Sequence, residues 1–160
     1  MLRILNLGCG EDKYGTDRLD FKATSATTQV FNLEHGIPFG CNTFDIIYSR
    51  NLLEHLSNVG FHLDECFRVL KHQGSIIVIT DNASCFRFYL GTHTGRYERL
   101  HPGGDCHMSI FTKNHLKNHF TRAGFINLDI KYIATDTIAK WLDLFTLQNP
   151  RIKVRATKPC

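Results

Sequence analysis

The sequence predicts an α/β fold, a three-layer sandwich with helices on both faces of a mostly parallel sheet. Three observations predict it. Short apolar runs suited to strands alternate along the chain with segments of helical period. The most apolar run, Ser75 to Thr80 (SIIVIT), suits a central strand covered on both faces. The last two runs alternate polar and apolar, which suits one edge of the sheet and an antiparallel pair there.

The elements follow in order. Arg3 to Leu7 reads as a first strand that ends at Gly8-Cys9-Gly10. Arg18 to Phe21 is a second and Gln29 to Asn32 a third, before a turn-rich stretch with Gly36, Pro38 and Gly40. Phe44 to Tyr48 is a fourth. From Val59 to Lys71 the period changes. Leu63, Cys66, Phe67 and Leu70 fall at i, i+3, i+4 and i+7, one face of a helix. Gly74 is expected to stop that helix, with Lys71 and His72 at its negative end. After the Ser75 strand, residues 91–111 read as a Gly-rich loop suited to a lid. Thr112 is an N-cap for a helix that ends near Ala123, with Leu116 and Phe120 inward and Gly124 closing it. Ile126, Leu128, Ile130 and Tyr132 alternate as a strand. Ile138, Trp141, Leu142 and Phe145 mark an amphipathic helix. Ile152, Val154 and Ala156 alternate with Lys and Arg as a last strand.

The chain has 160 residues without internal repeat, and reads as a single domain over 1–160. Hydrophobic residues at 42% and charged residues at 21% suit a globular chain and exclude disorder throughout. The net charge of +4 tolerates an anionic partner without demanding one, so nucleic acid is not excluded. No block of five like charges forms a nucleic-acid arm. Arg151, Lys153, Arg155 and Lys158 read first as the solvated face of a strand and second as a phosphate-binding stripe. The start, MLRILNLGCG, has no apolar run long enough for a signal peptide or membrane span, which predicts a cytoplasmic location. The six Cys include no Cys-x-x-Cys pair and read as reduced thiols used as small hydrophobes.

In an open α/β sheet, ligands bind beyond the carboxyl ends of the strands. The site is therefore expected at residues 8–10, 20–21, 32–33, 49–51 and 81–82. Gly8 and Gly10 let the backbone approach a ligand closely. A dinucleotide turn would place a third Gly at position 13, where Lys13 stands, and would open a helix to receive the pyrophosphate. Only residues 11–17 separate the turn from the second strand, fewer than the roughly 10–12 of a crossover with a full helix. A ligand without phosphates fits better, and S-adenosylmethionine is one. Asp20, with several lone pairs and no donor, is placed to accept from both ribose hydroxyls, with Asp17 the alternative if the register shifts. Phe21 follows it. Asn32 offers the donor and acceptor that adenine's edge requires, with Leu33 packing on the ring.

The pattern resembles the class I S-adenosylmethionine-dependent methyltransferases. LNLGCG at 5–10, LD at 19–20, NLEHGIPFGCNTFDIIYSRNLLEHL at 32–56, ECFRVLKHQGSIIVI at 65–79 and HMSIFTKNHLKNHFTRAGF at 107–125 carry the resemblance. The short passage from Gly10 to Asp20 looks like a subgroup with a reduced first crossover. The resemblance implies a seven-stranded Rossmann-like sheet whose last strand inserts antiparallel beside the fifth. It implies a methyltransferase using S-adenosylmethionine, held by Asn6, Leu7, Gly8, Cys9, Gly10, Asp20, Phe21, Asn32, Leu33 and Ser49. Three positions depart from the family's pattern. Asp12 stands where Gly is frequent, Asn6 where an acid is frequent, and His72-Gln73-Gly74 replaces Pro-Gly-Gly.

Methyl transfer asks the protein mainly to align and desolvate the reactants. A base is needed only where the nucleophile still holds its proton. The catalytic candidates are Arg50, which could hold an anionic acceptor, Asn51 beside it, and His55 of LLEHL. His55 reads as a base or as a structural residue at a helix start, and Arg50 as an anion holder or a surface ion pair. Asp81 and Asn82 could also face the acceptor, which the sequence does not identify and which is expected to be a small molecule, sugar or lipid precursor before nucleic acid. His93, His101, Cys106, His107 and Cys85 have metal-ligand chemistry, but their spacing matches no standard zinc pattern and no metal is predicted. Two rival functions are a binding module that retains the cofactor without transfer and, disfavoured by Lys13, a nucleotide-dependent oxidoreductase.

Overall fold

The computed structural model describes residues 1–85, 107–133 and 151–160. The expected lid up to residue 106 and the helix expected around Trp141 lie outside them. Seven strands form one sheet. They are β1 (Ile4–Leu7), β2 (Asp17–Asp20), β3 (Gln29–Val30), β4 (Phe44–Arg50), β5 (Leu70–Asp81), β6 (Ile126–Ile133) and β7 (Arg151–Thr157). Their spatial order is β3-β2-β1-β4-β5-β7-β6. The pairs from β3 through β5 are parallel, and β7 runs antiparallel to both β5 and β6. Helices α1 (Val59–Val69) and α2 (Lys113–Arg122) pack beside the sheet. Leu5, Leu7, Phe44, Ile47, Ile76 and Ile152 are fully enclosed, and they join Leu63, Val69, Leu116 and Phe120 of the helices in one core.

The edge reading of the last two strands holds. Along β6, Asp129 and Lys131 are exposed while Leu128, Ile130 and Tyr132 turn toward the core. β5 is apolar because it is interior, although one of its two neighbours is antiparallel. Thr112 caps α2 as expected, its side chain accepting from His115 N at 3.3 Å, and Gly124 follows at φ +91°.

The end of α1 differs from expectation. The helix stops at Val69, Leu70 turns extended, and Gly74 lies inside β5 rather than at the helix terminus. Leu70 pairs with Phe44 of β4, so the sheet claims the segment before Gly74 is reached. The cation at the helix's negative end is also a different one. Lys158 Nζ donates to Phe67 O (2.9 Å), Leu70 O (2.8 Å) and Asn42 Oδ1 (2.8 Å), whereas Lys71 reaches Asp45. Lys158 is therefore buried and structural, not part of a solvated or phosphate-binding stripe.

His62 of α1 is buried, and burial holds its pKa down at about 4. Unfolded, an imidazole takes up its proton near 6.5. Between these values the unfolded chain carries the extra proton, so stability present above pH 6.5 is lost as pH falls toward 4. Urea titrations at pH 7 and pH 5 should show the wild type losing about 2 kcal/mol more than His62→Leu over that interval. Equal losses in the two proteins would show that His62 is not held neutral.

Candidate functional site

The parallel register aligns the carboxyl ends of four strands. Leu7 pairs with Leu19 and with Ser49, and Asp20 pairs with Val30. The residues that follow each strand therefore meet along one edge. There the chain leaves β1 through Gly8 (φ +66°) and Gly10 (φ +51°). Such angles are costly for residues with a Cβ. At Gly8 a Cβ would also lie 3.0 Å from Leu52 Cβ. At Gly10 it would meet no atom within 4 Å, because the space over Gly10 is open.

Two residues of β2 clamp this turn. Leu19 O accepts from Gly8 N (2.9 Å) and Cys9 N (3.1 Å). Asp20 Oδ2 accepts from Gly10 N at 2.8 Å, and its Oδ1 from Lys22 N at 3.0 Å. An ionised carboxylate offers about four acceptor sites, so both oxygens retain capacity for ligand hydroxyls. Asp17 is committed elsewhere, in a two-bond pair with Arg3.

The turn opens onto a cavity of about 560 Å³, a volume suited to a small ligand. From the β2–β3 side it is lined by Asp20, Phe21, Phe31, Asn32, Leu33 and Glu34, and from the β4 side by Tyr48, Arg50, Asn51, Leu52, His55 and Leu56. The 3-10 turn Leu33–His35 is capped by Asn32, whose Oδ1 accepts from Glu34 N at 3.0 Å. Glu34 in turn accepts from Ser57 N and Ser57 Oγ, both at 2.7 Å, and these bonds hold its carboxyl below the usual range. The two sides of the cavity are thereby tied together.

On the β4 side, Tyr48 packs edge-on against Tyr14 at 5.0 Å, and burial pushes its phenol pKa up. His55 closes the 3-10 turn Leu53–His55, its N–H donating to Leu52 O at 2.9 Å. Glu54 beside it is buried and accepts from Thr80 Oγ1 at 2.7 Å, and burial raises its pKa. Burial also raises the Cys9 thiol, which disfavours it as a nucleophile.

Of the expected site residues, Asn6, Gly8, Cys9, Gly10, Asp20, Phe21, Asn32, Leu33, Arg50, Asn51 and His55 line this one cavity. Leu7 and Ser49 do not. Leu7 is fully enclosed, and Ser49, paired with it, is 2% exposed. Successive side chains alternate between sheet faces, so residues can end a strand at the site and still point into the core. Asp81 and Asn82 are likewise absent from the lining, with Asn82 buried in a bridge to Phe111. Reasoning from the sequence missed Glu11, Asp12, Phe31, Glu34, Tyr48, Leu52 and Leu56. Tyr48 pairs with Asn6 across β4 and β1 and shares its face, a relation fixed by inter-strand register. His93, His101 and Cys106 lie outside the described residues. Cys85 is buried, and His107 stands against His55 with ring centroids 4.8 Å apart.

The cavity fits S-adenosylmethionine on its own geometry. The open cradle over Gly10 admits a nucleoside, and Asp20 presents acceptors beside it. No helix separates β1 from β2, so no helix N-terminus is aimed there at a pyrophosphate.

Comparison with known proteins agrees. Residues 6–78 match the family model described as a methyltransferase domain. A ubiquinone biosynthesis O-methyltransferase of Nitrobacter winogradskyi is 29% identical over 146 residues, covering 77% of this chain. The chain spans 56% of that relative's length. An S-adenosylmethionine-dependent methyltransferase of Thermotoga maritima superposes with a TM-score of 0.77 at 15% identity, covering 99% of this chain and 82% of that one. One from Mesorhizobium loti gives 0.72 at 18% identity, covering 98% and 91%. At such identities the structural likeness establishes the fold. Among the described residues no helix is long and apolar enough to cross a membrane.

Asp20→Ala should weaken S-adenosylmethionine binding by about 1–3 kcal/mol in calorimetry, through lost hydrogen bonds to a charged group. Gly8→Val should abolish binding. Unchanged affinity in Asp20→Ala would place the ribose on another acceptor.

Proposed function

We propose that this chain, whose residues 6–78 match a methyltransferase domain and whose fold is shared with S-adenosylmethionine-dependent methyltransferases, is itself such an enzyme and methylates a hydroxyl of a small-molecule acceptor seated on the β4 side of the cavity. The observation that carries this reading is that one cavity has the Gly8–Gly10 turn and Asp20 on one side and Arg50 and His55 on the other. A nucleoside grip and an acid–base group thus share one enclosure.

When bound, the cofactor supplies a methyl group already activated by its sulfonium. Asp20 would hold the ribose hydroxyls, and Asn32 and Leu33 the adenine. His55 would accept the acceptor hydroxyl's proton at an imidazole nitrogen, which the nucleophile must lose as it is methylated. Arg50, always charged and exposed, would hold an anionic substituent of the acceptor. Tyr48 offers a ring edge or face to a planar acceptor. The hydroxyl is favoured over an amine because a neutral amine needs no base in the displacement, and because the Nitrobacter relative is named an O-methyltransferase.

Methyl-labelled S-adenosylmethionine incubated with a panel of phenols and catechols, with and without a carboxylate, tests the reading. Label should reach a hydroxyl acceptor. His55→Gln should slow transfer roughly 10²- to 10⁴-fold while cofactor affinity holds. Arg50→Ala should raise KM for the carboxylated acceptors alone. Cofactor binding without transfer to any acceptor would make the chain a binding module instead.

A further inference from the structure

We propose that His107 is the second station for the proton taken up by His55, so that the two imidazoles act as a relay from the cavity to solvent. This rests on the reading of His55 as the base.

The two rings come from distant parts of the chain and meet edge to face, 4.8 Å between centroids and 69° between planes. One nitrogen or carboxylate oxygen from each of Glu54, His55 and His107 lies within 4.8 Å of the others. The juxtaposition is built into the backbone. Met108 N and Ser109 N both donate to Glu54 O, at 2.8 and 3.1 Å, and pin the segment carrying His107 onto the turn carrying His55. Two residues further on, Phe111 O accepts from Ala83 N at 2.8 Å and anchors the same segment to the end of β5. His55 lines the cavity, whereas His107 is half-buried, with its Nδ1 enclosed.

Methyl transfer leaves the cofactor a neutral thioether, and a proton still on His55 would then face the sulfonium of the next cofactor to enter the enclosure. Like charges that close repel, so the proton needs an exit. The acceptor's O–H bond breaks as a His55 N–H bond forms, and the proton then moves to a ring nitrogen of His107 and on to water. Glu54 on the same turn, which also feels Asp81, and Glu34 and Arg50, which line the same cavity, are the other charged groups around His55. Among these neighbours His107 is the other imidazole, a ring that can both accept and donate a proton.

The relay predicts that the two rings bind protons as a coupled pair. The test is an NMR titration of the histidine ring signals in the whole chain, for wild type, His107→Phe and His55→Gln. Phe keeps an aromatic ring against His55 but carries no proton. In wild type both ring signals should move in the same two pH steps. In His107→Phe the His55 signal should move in one step, its midpoint shifted by about one pH unit or more. The rate of label transfer against pH should change shape in the same variant. A His55 curve that superimposes in wild type and His107→Phe would overturn the relay alone. Label transfer that survives in His55→Gln would overturn the base reading and the relay with it.

Discussion

The bond from Gly10 N to the Asp20 carboxylate, at 2.8 Å, joins the two parts of the site into one. Together with Leu19 O, which takes the Gly8 and Cys9 amides, it lets the last two residues of β2 hold every residue of the glycine turn. This works only because β1 and β2 run parallel with Leu7 opposite Leu19. A shift of one residue would turn the Asp20 side chain to the other face of the sheet. The carboxylate that fixes the turn is also the one left with spare lone pairs at the cavity wall. Turn geometry and the acceptors that Asp20 presents to the cavity therefore cannot be varied separately in this chain.

From that clamp the rest of the site follows strand by strand. β3 delivers Asn32 and Leu33 next to Asp20, and β4 delivers Arg50 and the turn bearing His55 on the opposite side. Glu34 and Ser57 bind the two sides across the top, so the width of the cavity is set by a charge-assisted pair of bonds. Without a helix between β1 and β2, no helix N-terminus is aimed at the turn as a phosphate site would have it. Lys158 has a matching role in the core. It closes the negative end of α1 and so fixes the helix that packs behind β4 and β5.

Much of this was legible in the sequence, for local reasons. Uninterrupted apolar runs marked the inner strands, alternation marked β6 and β7 as an edge, and Thr112 and Gly124 bracketed α2. The glycines, Asp20, Asn32 and His55 were readable because a parallel sheet gathers whatever follows each strand. What stayed hidden depended on partners far along the chain. The stop of α1 at Val69 needs Phe44 and Lys158, and neither is visible from Gly74. Leu7 came to the site through the family resemblance and Ser49 as a residue expected to follow the fourth strand, yet pleating turns both inward. Tyr48 was overlooked because its face is set by pairing with Asn6. The meeting of His107 with His55 rests on two amides bonding Glu54 O, which no spacing in the sequence reveals.

The central claim is that the Asp20 carboxylate, already holding the glycine turn, also holds the ribose of the cofactor. A crystal structure of the chain with S-adenosylhomocysteine tests it most directly. The account predicts both ribose hydroxyls at hydrogen-bond distance from Asp20, with the sugar seated over Gly10. A ribose held by Glu34 or Glu11, or a product bound outside this cavity, would contradict it.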